Sequence, residues 1–115
     1  MTGKQLALDD EAAAALAELR KVCLALPNVA ETLTFGNPTF KAGRKAFAGL
    51  DRYRGVYCVW ILCDAATRQH LLLTDDAWFP APYDKAQAAL CRKLKGIDWA
   101  EFRRMVLASY ERAVG

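Results

Sequence analysis

A chain of 115 residues, 54% apolar and 25% charged, supplies one hydrophobic core and is too short for a second. That balance excludes disordered or low-complexity architectures, and no uncharged apolar run approaches the ~18 residues that cross a bilayer. A formal net charge of +3 is too small by itself to imply nucleic acid.

The opening Met1-Thr2-Gly3-Lys4-Gln5 has no apolar stretch behind a basic start, so an intracellular, cytoplasmic single domain is expected. Residues 9–26 then carry the clearest helical pattern. Asp9 can accept from the free amides of the first turn, and Asp10 and Glu11 suit the positive end of the helix dipole. Leu16, Leu19, Cys23 and Leu26 form one apolar stripe, and Pro27 ends the helix. Short extended pieces follow: a strand over 31–35, a turn at Gly36-Asn37-Pro38, a strand over 39–42, a turn at Gly43, and a strand over 45–50. Residues 51–55 read as a polar loop. Val56 to Cys63 has no charged residue and is rich in β-branched and aromatic types, as a central strand is.

Asp64 is placed to cap a short helix reaching about Thr74, which Asp75-Asp76 would break. Pro80 and Pro82 keep the next stretch extended, at an edge or in a loop, and 90–94 reads as a further strand. Asp98 with Glu101 makes a capping box and Ile97 with Phe102 a hydrophobic staple. The last helix begins there and would bury Phe102, Val106, Tyr110 and Ala113. The order α-β-β-β-β-α-β(-β)-α, with short turns between strands, predicts a two-layer α+β domain: an antiparallel sheet with helices on one face.

Cys23, Cys58, Cys63 and Cys91 form no CxxC pair and have no histidine cluster, so neither a structural metal nor any cofactor is expected. Buried free thiols are. His70, the one histidine, reads as a solvated helix residue rather than half of a Cys63–His70 nucleophile pair. Asp9, Asp10 and Glu11 serve as a helix N-terminus, and metal binding by them together with Glu18 is not expected. No glycine-rich phosphate loop is present, and no enzymatic activity is expected.

Leu19-Arg20-Lys21-Val22-Cys23-Leu24-Ala25-Leu26-Pro27, then Glu31-Thr32 and Phe35-Gly36-Asn37-Pro38-Thr39-Phe40, resemble the opening of the MmcQ/YjbR family. Gly43, Lys45-Ala46-Phe47-Ala48, Phe79-Pro80-Ala81-Pro82-Tyr83, Asp98-Trp99 and Ser109-Tyr110 match its later motifs, so the resemblance spans residues 16–113. It implies a two-layer α+β fold similar to frataxin and to type III secretion chaperones. It also implies DNA binding through a double wing, with Phe35, Gly36, Pro38, Pro82 and Tyr83 as family-motif positions and no catalytic residues. One departure stands out. Family members usually carry a Gly-Trp pair shortly after the Pro-Tyr, and this chain has Ala88-Ala89 there.

The excess positive charge is concentrated in two segments. Residues 41–54 hold Lys41, Arg44, Lys45, Arg52 and Arg54 against Asp51 alone; residues 85–95 hold Lys85, Arg92, Lys93 and Lys95 and no acid. As neighbouring wings they could follow a duplex backbone, giving non-specific or weakly specific DNA binding. Otherwise they are solvated charges guarding sheet edges. No helix carries a recognition-type cluster of Arg, Asn and Gln. A second reading comes from the strand at Val56. Tyr57, Val59, Ile61 and Cys63 share one face and Val56, Cys58, Trp60 and Leu62 the other, so one apolar set must point away from the helices. Left bare, it would serve a chaperone-like protein partner or a homodimer; otherwise the 80–83 stretch, with Trp78 and Phe79, folds over it.

Overall fold

The computed structural model describes residues 8–82 and 84–115; Tyr83 and the opening segment Met1-Thr2-Gly3-Lys4-Gln5 lie outside them. The elements run α1 (Asp10–Cys23), β1 (Val29–Thr34), β2 (Asn37–Ala42), β3 (Lys45–Tyr53), β4 (Val56–Leu62), α2 (Ala65–Thr74), β5 (Trp78–Pro80), β6 (Ala89–Lys93) and α3 (Trp99–Val114). One six-stranded sheet has the order β1-β2-β3-β4-β6-β5, with every pairing antiparallel. The predicted α+β architecture and element order are those observed.

Local signals set the helix starts. The carboxylates of Asp9, Asp64 and Asp98 each accept from amides of the first turn that have no partner inside the helix. Asp64 is held below the usual carboxylate range by the Thr67 amide and hydroxyl that donate to it. The first helix stops at Cys23 rather than Leu26. Pro27 disfavours a helical Leu26, and the chain instead closes a tight turn in which the Leu26 amide donates to the Cys23 carbonyl. Arg20 on α1 holds Glu31 on β1 through two 2.8 Å hydrogen bonds, and the Tyr110 hydroxyl donates to the Pro27 carbonyl at 2.8 Å.

The strand boundaries depart from expectation at two turns. Phe35 is not in β1. Phe35 and Gly36 form a two-residue turn with φ of 51° and 81°, and Asn37 and Pro38 already belong to β2. Pro38 is tolerated because pairing of β2 with β3 begins only at Thr39, so no neighbour asks for its missing amide proton. The expected loop 51–55 is mostly strand: β3 runs to Tyr53, and Arg54–Gly55, again with φ of 51° and 81°, closes the hairpin. Positive φ at both central residues is the type I′ turn, whose twist matches that of the strands it joins. Two further strands shift by one residue against expectation, β4 ending at Leu62 and β6 covering Ala89 to Lys93.

One face of the sheet carries α1 and α3. Between them lie Leu16, Leu19, Cys23, Phe40, Phe47, Leu50, Val59, Ile61, Leu90, Phe102 and Val106, all buried in one cluster. A β-bulge keeps this face apolar. Phe40 opposes Ala48 and Lys41 opposes Ala46, which leaves Phe47 as the extra residue, fully buried. The Ser109 hydroxyl of α3 donates to the carbonyl of bulged Phe47 and accepts from the Leu62 amide at 2.8 Å, so one buried side chain satisfies two strands.

Candidate functional site

The opposite face of the sheet carries no helix. Strand alternation and the pairing register put Thr39, Gly49, Trp60, Cys91 and Phe79 in one row across five strands, with Asp51, Cys58 and Lys93 in the next row and Tyr53 and Val56 beyond. The expected apolar strip of β4 is therefore the set Val56, Cys58, Trp60 and Leu62.

That strip is roofed. Tyr53 on β3 and Phe79 on β5 are separated by two intervening strands, yet their rings meet edge to face at 6.3 Å. Leaning inward, they cover the two β-strand thiols between them, and Cys58 and Cys91 are fully buried although they face away from the helices. A thiol–thiol hydrogen bond with Cys91, reinforced by burial, pushes the Cys58 thiol far up. The Tyr53 hydroxyl, raised first by burial, donates to Asp51 Oδ2 at 2.8 Å, which fixes the ring. Trp60 lies across Gly49, where a Cβ would meet the indole Nε1 at 2.5 Å. Of the residues expected to fold over the strip, Phe79 does so. Trp78 instead turns to the helix side and stacks on Phe102 at 6.2 Å, because successive residues of a strand point to opposite faces.

Among the described residues, two clefts lie over this face. The larger, about 900 Å³, is lined by Phe35, Tyr53, Val56, Phe79 and Pro82, with Asp51, Arg54 and Lys93 among its polar residues. A smaller one of about 330 Å³ lies over Trp60 and Leu62 under Ala81, Pro82 and Asp84. Ala89 lines it too.

The candidate cations separate into groups. Lys41, Arg44 and Lys45 surround the β2–β3 turn, whereas Arg52, Arg54, Lys93 and Lys95 lie at the other end of the sheet, a length of β3 away or about 30 Å. Only Lys41 and Lys93 are strand residues of the unhelixed face. Arg52 points the other way, its guanidinium 5.3 Å from the Tyr57 ring centre. Arg92 is committed within the fold: its guanidinium donates to the carbonyls of Lys93, Lys95 and Gly96 and ties down the connection to α3. Lys85 is exposed in the loop between β5 and β6. Of the motif positions, Phe35 and Pro82 line the larger cleft, Gly36 supplies the turn, Pro38 is buried, and Tyr83 is outside the described residues. Sequence reasoning missed Tyr53 and Asp51 by reading them as loop. The pair Arg54-Gly55, a two-residue hairpin turn, was the signal that could have found them.

All four cysteines are free and buried, and burial pushes the Cys23 thiol up to about 12. Among the described residues no group of His, Cys, Asp and Glu is arranged to hold a metal ion, and no helix is long and apolar enough to cross a membrane.

The crystal structure of protein DR2400 of Deinococcus radiodurans, a DUF419 domain, shares this fold. It is 19% identical with a TM-score of 0.71, over 83% of this chain and 75% of that one. No curated protein matches the sequence. The YjbR family model matches residues 24–112, from the end of α1 to the last turn of α3 and thus every strand of the sheet. The chain belongs to the YjbR family.

Proposed function

We propose that this protein is a non-enzymatic nucleic-acid-binding module that contacts phosphates with little sequence preference. The observation that carries the reading is the meeting of Arg54 and Lys93, from two basic segments far apart in sequence, on the rim of one cleft. Lys95 stands just beyond β6 at the same end of the sheet, and Lys41 belongs to the same face. The acid that lines the cleft, Asp51, is held in place by the Tyr53 hydroxyl and the Arg52 amide, which donate to it at 2.8 and 2.7 Å.

The alternative of a protein partner on the apolar strip has less surface to use. Tyr53 and Phe79 roof the two thiols, and of the strip only Val56, about half accessible, is exposed.

Fluorescence anisotropy with a labelled oligonucleotide at two salt concentrations tests the proposal. Affinity should fall steeply with salt, by a log–log slope of about one per phosphate contacted. Arg54→Glu with Lys93→Glu should remove most of it, while Arg44→Glu with Lys45→Glu should cost less. Absence of binding at low salt, or equal losses from the two pairs, would reject the rim as the contact surface.

A further inference from the structure

Among the described residues, Phe35 is the most exposed large hydrophobic side chain. It is 95% accessible, so its phenyl ring gains almost nothing from burial, and its φ of +51° is a conformation that a bulky side chain adopts at a cost. Type I′ turns take Asn, Asp or Gly at this position. Neither packing nor turn chemistry accounts for a phenylalanine there. Among the described residues nothing covers its ring, which contributes only if something further lies against it.

What lies beside it restricts that occupant. The cleft that Phe35 borders is walled by Tyr53, Phe79, Val56 and Pro82, so it suits a flat apolar group. Asp51 on its floor still has carboxylate lone pairs free for N–H donors and would repel a bare anion seated deep inside. Arg54 and Lys93 belong to its rim, where an anion would be held. Aromatic walls, an acceptor inside and cations at the mouth together describe a nucleotide with its base inward and its phosphate outward. A base inside a duplex cannot enter such a cleft, because both of its faces are already stacked. We infer that the cleft between Phe35 and the Tyr53–Phe79 pair stacks an unpaired base, and that the nucleic acid this protein prefers is single-stranded. This rests on the phosphate-binding reading above and adds the base to it.

The test uses the full chain and three labelled probes of equal length: a mixed-sequence single strand, the same strand with abasic sites replacing its bases, and the duplex. The natural strand should bind about tenfold tighter than the abasic strand, the scale of one base on an aromatic platform, and tighter than the duplex. Phe35→Ala, at a solvated position that leaves the circular dichroism spectrum unchanged, should erase that difference and leave abasic affinity intact. Equal binding of natural and abasic strands, still lost in the Arg54→Glu, Lys93→Glu variant, would overturn base stacking while sparing the phosphate reading. No binding of any probe would overturn both. Phe35-dependent dimerisation in light scattering, without discrimination among the probes, would assign the ring to a second copy of the chain and overturn the inference.

Discussion

The two faces of the sheet are built from the same strands and closed by different means. On the helix side, α1 and α3 lay whole apolar stripes over Phe40, Phe47, Leu50, Val59 and Ile61, and the bulge at Phe47 is stitched down by Ser109. On the other side two aromatic rings and one connection do the covering, and they leave open clefts. In β4, Cys58 on one face is as fully buried as Val59 on the other. Complete burial of a residue therefore says little about how much of its face is sealed. The helix side is sealed by elements of regular structure and the other by single side chains, and the cleft of about 900 Å³ lies on the latter.

Variants can separate the two faces by the size and kind of their effect. Phe47→Ala on the helix side should be the most damaging, costing about 3–5 kcal/mol for the lost burial and the cavity left behind, read from denaturant unfolding. Gly49→Ala on the other face should cost about 1–3 kcal/mol. The new methyl group would meet the Trp60 ring and, at 2.9 Å, the Pro38 carbonyl, which is backbone and cannot swing aside. A shift in tryptophan emission should accompany it. Phe79→Ala should cost about 1–2 kcal/mol, since the ring is only half-buried. Its more telling result is in thiol titration of the folded protein, where Cys58 and Cys91 should become reactive while Cys23 stays inert. Unchanged labelling would mean that the aromatic roof is not what shields them.

Phe35→Asn should have the smallest effect on stability and the opposite sign, a gain of up to about 1 kcal/mol from a residue suited to the type I′ turn. Higher stability with weaker single-strand binding would sharpen the contrast between a face optimised for packing and one optimised for contact. A loss of stability would show that the ring does serve the folded chain.

How much could be read in advance followed the range of the interactions. The three helix starts were legible because Asp9, Asp64 and Asp98 act on amides two or three residues away. The length of α1 was overestimated because Leu26 continues the apolar stripe, and the restriction imposed by Pro27 prevails over it. β3 was cut short at Leu50 because Asp51, Arg52 and Tyr53 are polar or mixed in character, whereas pairing with Val56, Tyr57 and Cys58 holds them extended. The basic segments were legible as sequence, but not their regrouping. Counting charges cannot show that β3 carries Arg44 to one end of the sheet and Arg54 to the other, or that Arg92 spends its donors on neighbouring carbonyls.

The sequence by itself determined the element order, the two-layer class and the apolar character of β4 on both faces, because periodicity, caps and turn residues act over a few positions. Only the tertiary structure decided which face of β4 the helices took, that Tyr53 and Phe79 would close over two thiols, and that Arg54 and Lys93 would share a cleft with Phe35. Those outcomes depend on registers across four strands and on rings reaching over intervening backbone, and such distances exist only once the sheet is assembled.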